Sequence, residues 1–145
     1  MNPKRYLPVV LLVLSLAVFA SACSSGSSQN NSDTNSSASS APKVVDTSPK
    51  AGDVNVDPAT SELTITFDRE MTPDSYSIVK NTTIGQFPEL VGKPVISGDK
   101  KTYTQKIKLQ PKTNYYISVN SSQYTNFKDS KGVSATPYVL EFETR

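Results

Sequence analysis

Any catalysis in this sequence would rest on carboxylates, hydroxyls and lysines, because its 145 residues include no histidine and one cysteine. Ser-His and Cys-His nucleophilic pairs are excluded, as is His-ligated zinc or copper. The lone cysteine also excludes an internal disulfide. The closest carboxylate pairs are Asp68 with Glu70 and Glu141 with Glu143; Asp57 and Asp74 stand apart. General acid–base catalysis needs two carboxyl groups facing one cleft with separated pKa values. Glu141 and Glu143 lie two apart on an alternating run, which turns both to solvent. Asp68 and Glu70 end another such run, an ordinary place for solvated charge. Asp46, Asp53, Asp57, Asp68 and Asp129 offer oxygen ligands for calcium, but turn formation accounts for each more simply. The chain therefore reads as a non-enzyme, with no catalytic residue, no cofactor and no metal site.

Cys23 carries a different chemistry. Lys4 and Arg5 precede a nearly continuous apolar run from Leu7 to Ala20. The run is too short to span a bilayer of about 30 Å and has the form of a secretory signal over residues 1–22. Ala20-Ser21-Ala22-Cys23 resembles a bacterial lipobox, in which the cysteine accepts the lipid. The resemblance implies a lipoprotein whose Cys23 carries acyl chains such as palmitate. Two or more chains hold a protein stably on a membrane, at about 0.8 kcal/mol per buried CH₂. An ordinary signal peptide cut near Ala22 is the competing reading.

Residues 24–41, SSGSSQNNSDTNSSASSA, contain no aromatic residue and no aliphatic one larger than alanine. Such a stretch cannot bury enough apolar surface to offset the entropy of ordering. Residues 23–41 are therefore expected to be a lipidated cysteine and a disordered linker. A coil of roughly 18 residues has a root-mean-square reach of about 23 Å.

From Pro42 onward the composition changes. Val, Ile, Tyr, Phe and Thr recur, and turn residues interrupt them at short intervals. Residues 42–145 predict an all-β domain, an antiparallel sandwich of about seven short strands. Leu63, Ile65 and Phe67 alternate with threonines, as do Tyr103, Gln105, Ile107 and Leu109 with Thr104 and lysines. Tyr115, Ile117 and Val119 form a third inward set; Tyr138, Leu140 and Phe142 form a fourth. Shorter strands are expected at 43–47, 76–80 and 95–96. The alternation of Leu109, Pro111, Thr113 and Tyr115 predicts a tyrosine corner, with the Tyr115 hydroxyl bonded to nearby backbone.

The surface offers two further candidates. Tyr116 points away from the inward set and Tyr124 lies in the long segment before the last strand. Together they form a candidate partner-binding patch. Lys100, Lys101, Lys106, Lys108 and Lys112 crowd around one strand. They could face an anionic lipid or cell-wall polymer; guarding an exposed sheet edge is the preferred reading. The formal net charge is +2, and Lys4 and Arg5 leave with the signal. No strong basic field remains, and nucleic acid is not an expected partner. Asn81-Thr82-Thr83 and Asn120-Ser121-Ser122 match glycosylation sequons.

Two ordered stretches point to a family. Val45-Asp46-Thr47-Ser48-Pro49-Lys50-Ala51-Gly52-Asp53-Val54-Asn55-Val56 is followed by Leu63 to Phe67 and then Met71. This resembles the opening of the bacterial Ig-like domain of SbsA type, named after an S-layer protein. The Leu109–Tyr115 stretch, the Asp129-to-Gly132 turn and the closing strand from Tyr138 to Thr144 fit the same family. The resemblance implies an Ig-like sandwich without a deep cleft and with no catalytic residues to carry over. The opening is also similar to periplasmic copper-binding sandwiches, but their histidines are missing here and Met71 is the single methionine beyond the signal. The combined expectation is a lipid-anchored, extracytoplasmic protein that displays one Ig-like domain for non-enzymatic binding, adhesion or envelope architecture. Its expected partners are the membrane, and a cell-wall polymer or envelope protein. An accessory subunit of an envelope transporter or hydrolase complex is the competing class.

Overall fold

A computed structural model describes residues 40–145. The expectations for the signal, for Cys23 and for the linker before Ser40 lie outside the described residues. The described part falls within one compact unit, Ser37–Arg145. It holds seven strands: β1 Val44–Ser48, β2 Glu62–Phe67, β3 Ile78–Lys80, β4 Glu89–Ile96, β5 Thr102–Lys108, β6 Asn114–Val119 and β7 Tyr138–Glu143. One sheet has the order β1-β2-β5-β4, the other β3-β6-β7. Every pairing is antiparallel. Lettered along the chain, the sheets are ABED and CFG, the arrangement of a seven-stranded Ig-like sandwich.

Period-two alternation builds the core. Leu63, Ile65 and Phe67 of β2 are buried, as are Tyr103, Gln105 and Ile107 of β5. From the other sheet come Tyr115, Ile117 and Val119 of β6 and Leu140 and Phe142 of β7. Register puts Ile65 beside Tyr103 and Ile117 beside Leu140. Phe127 reaches in from the β6–β7 connection, with its ring centroid 5.1 Å from Phe67 and 5.3 Å from Tyr103. Each such large apolar side chain contributes about 1.5–3 kcal/mol by burial. The opening turn docks onto the last strand. The Gly52 N–H donates to the Glu141 carbonyl at 2.7 Å, and the Glu143 N–H donates to the Asp53 carbonyl at 2.7 Å. Gly52 has φ +79°, a conformation that glycine adopts without steric cost.

Three expectations need correction. The strand at 95–96 is the end of β4, which begins at Glu89. Its register shifts between Val91 and Val95. Gly92 there has φ +69°, and Pro94 has no N–H to donate. This bulge breaks the alternation that would have revealed the strand. At 76–80 only Ile78–Lys80 is strand. Ser77 is tied to the β6–β7 connection instead: its carbonyl accepts from the Asn120 N–H at 3.1 Å and its hydroxyl from the Asn126 N–H at 2.9 Å. The lysine reading changes too. β5 lies between β2 and β4, so Lys106 and Lys108 guard no edge. Register sets Lys106 opposite Glu62 and Lys108 opposite Glu89, and the Lys108 ammonium is 2.7 Å from the Glu89 carboxylate. Cross-strand charge pairing explains those two lysines.

Candidate functional site

The sandwich opens along the side where β3 ends one sheet and β4 ends the other. A groove of about 600 Å³ lies there. Tyr76, Ile78, Leu90, Pro94 and Tyr124 form its apolar lining, and Tyr103 and Gln105 of β5 also reach it. Tyr76 is 40% exposed and Tyr124 54% exposed, so both rings present surface to a ligand. Tyr76 also packs on Tyr103, with centroids 5.4 Å apart, which fixes its ring. Lys80 and Lys93 complete the lining, and no carboxylate shares it. Neither lysine enters an ion pair among the described residues.

The polar groups beneath the groove are satisfied. The Gln105 amide donates to the carbonyls of Val91 at 3.0 Å and Lys106 at 2.9 Å. The Tyr103 hydroxyl donates to Gln105 Oε1 at 3.4 Å. Burial, and then the neighbouring Tyr76, pushes the Tyr103 hydroxyl pKa above the usual phenol range. That hydroxyl therefore stays protonated and serves as a donor rather than a base.

Residues 38–144 match the family model of the bacterial Ig-like domain. This chain belongs to that family. The Ig-like domain is also similar to two solved structures, the S-layer protein rSbsC and domains 1-6 of surface layer protein SbsC. Each comparison has 19% identity and a TM-score of 0.45, and each covers 72% of this chain. The chain spans 14% of the length of those S-layer chains. No curated protein matches it.

Within the Ig-like domain, Tyr115 is buried in β6 and its hydroxyl oxygen accepts the Gln110 N–H at 2.6 Å. Its ring stacks on Phe142 at 5.2 Å. The Thr144 hydroxyl closes the same corner, donating to the Gln110 carbonyl at 2.6 Å and accepting from the Thr113 N–H at 3.0 Å. Tyr116 and Tyr124 do not share a pocket. Tyr116 is half-buried beside the β3–β4 connection, where its N–H donates to the Gln86 carbonyl at 2.9 Å. Tyr124 lines the groove together with Tyr76 and Tyr103. Tyr76 was legible only as a strand residue, because its place on the groove depends on β4 and β5.

Of the five aspartates considered for calcium, Asp46 lies within β1 and the others lie in turns or just past a strand end. Asp53 and Asp57 accept from N–H groups two residues on. Asp129 is buried and accepts from the N–H groups of Lys131 and Val133, each at 2.9 Å. Asp46 pairs with Lys50, and Asp68 accepts from Arg69 and from the Lys43 N–H. Among the described residues no three carboxylate side chains gather at one point. Asn120 of the second sequon is buried, with both amide ends bonded to the main chain. Folded, it offers no accessible nitrogen for a glycan.

Proposed function

We propose that this chain is a lipid-anchored extracytoplasmic protein whose Ig-like domain, of the SbsA type, is displayed for non-enzymatic binding. Cys23 is the anchor and residues 24–41 are the flexible spacer. The groove between β3 and β4 is the binding surface. One observation carries the binding reading: aromatic rings and lysines share one apolar groove that no carboxylate lines, while Asp53, Asp57 and Asp129 serve turns and Glu89 an ion pair. Exposed apolar surface of this kind marks interaction sites, and Tyr is a frequent contact residue because it buries area at low entropic cost.

Metabolic labelling with a fatty-acid analogue tests the anchor. The wild-type chain should take label and fractionate with membranes; Cys23→Ser should do neither. Equal labelling of the two would remove the lipid reading. Cross-linking in intact envelopes, followed by purification of the chain, tests the binding role. Tyr76→Ala and Tyr124→Ala together should abolish the captured species. The double variant should also melt lower because Tyr76 packs on Tyr103 and Phe127, whereas Tyr124→Ala alone should weaken capture at a melting temperature close to wild type. Capture unaffected by the double substitution would take the role away from the groove.

A further inference from the structure

We propose that the groove accepts an extended acidic peptide strand, with apolar and acidic side chains both on its groove-facing side, which adds to the free edge of β3. This deepens the binding reading above by naming the partner's chemistry, and it does not depend on the lipid anchor.

The main chain of β3 sets the geometry. Register pairs Ile78 with Val119, Val79 with Ser118 and Lys80 with Ile117. The Asn120 N–H donates to the Ser77 carbonyl, which puts Ser77 and Val79 in the hydrogen-bonded phase of the ladder. Alternation then turns the N–H and C=O groups of Ile78 and Lys80 away from β6. No other described group bonds to them. β3 thus ends its sheet with two residues ready to pair, beside an apolar groove. In seven-stranded sandwiches this is the side on which variable-type domains carry an additional strand next to C.

The opposing edge is built differently. The Gly92–Pro94 bulge bends β4, and Pro94 lacks an N–H. Bulges and edge prolines prevent strand addition. β3 has neither, so the acceptor is β3. A strand beside it would direct every second side chain between Tyr76, Leu90 and Tyr124. The lysines choose the rest of the chemistry. Lys80 and Lys93 line the groove without a carboxylate, so the complementary partner is acidic. Main-chain bonds then supply affinity and the alternate side chains supply selectivity.

The experiment is amide hydrogen exchange on the full chain, titrated with a capped peptide of about eight residues in which every second position is valine or glutamate by turns, with threonine between them. The expected result is about tenfold slower exchange at Ile78 and Lys80, with β7 amides unchanged. Two companion peptides separate the contributions. The same peptide with lysine in place of glutamate should bind about tenfold more weakly. The glutamate peptide N-methylated at alternate positions should give no protection. Lys80→Glu with Lys93→Glu should reverse the preference between acidic and basic peptides, and this readout survives a modest loss of stability. Equal binding of the N-methylated peptide would overturn strand addition. Protection without peptide that grows with protein concentration would show the occupant to be a second copy, and would overturn the peptide proposal. Protection by a cell-wall glycan and not by the peptide would do the same. Loss of fatty-acid label with the exchange result intact would remove the anchor alone.

Discussion

Asn120, through its side chain, ties together two distant points of the β6–β7 connection. It is 1% exposed and has φ +57°, a left-handed conformation in which Asn is enriched. Its amide nitrogen donates to the carbonyls of Phe127 at 3.1 Å and Ala135 at 3.0 Å, and its oxygen accepts the Phe127 N–H at 3.0 Å. Asn120→Ala would leave those buried groups unpaired and impose alanine on a left-handed backbone. The expected loss is about 2–4 kcal/mol, read by urea unfolding. Tyr115→Phe is milder. It removes the acceptor of the Gln110 N–H, but Gln110 is exposed and water can replace the bond. A loss of about 1 kcal/mol is expected, with the Phe142 stack retained. Equal losses for the two variants would mean that the connection is held by packing rather than by Asn120.

At the scale of the elements, the β3–β4 connection sits close against β6. A Cβ added at Gly85 would meet the Cβ of Tyr116 at 3.0 Å and its nitrogen at 3.2 Å. The Gln86 carbonyl accepts the Tyr116 N–H, and the Gln86 N–H donates to the Asn114 carbonyl, each at 2.9 Å. Gly85→Ala should therefore push the connection off β6 at a cost of about 1–3 kcal/mol, seen as a lower melting temperature and faster amide exchange at Gln86. Wild-type exchange at Gln86 in that variant would show that the contact has room to relax. The half-buried position of Tyr116 follows from the same close approach. On β5, lateral position decided what the lysines do. Alternation located Lys106 and Lys108 on the outer face, but a period of two identifies a face and not a neighbouring strand.

At the scale of the whole molecule, net charge is small and its pH response is one-sided. The sequence has 15 basic and 13 acidic side chains. Asp46, Asp57, Asp68 and Asp99 are held below the ordinary value near 3.8, chiefly by Lys50, the Ala59 N–H, Arg69 and the Ser97 hydroxyl respectively. A carboxyl lowered in the folded state contributes stability above its unfolded pKa and loses it as pH falls through the folded one. All four are exposed or nearly so, which keeps each contribution small. The melting temperature should be flat between about pH 5 and 8, because no histidine titrates there. It should fall below about pH 4, and Asp68→Asn should flatten part of that fall. A transition near neutral pH would point to a titrating group outside the described residues.

The sequence by itself determined the class of this protein, four of its strands and the inward set of each. Those properties are local: alternation, turn residues and the Leu109–Tyr115 spacing lie within a few residues of one another. The same locality made β4 hard to read, since one bulge at Gly92 was enough to erase its alternation. Only the tertiary structure decided which strands are edges, and with that the role of the lysines. It alone assembled the groove, which takes residues from β3, β4, β5 and the β6–β7 connection, segments brought together by the closing of one sheet over another. The physical reason is that a strand's pattern records what it buries, whereas a binding surface between two sheets is made from what the edges leave unburied.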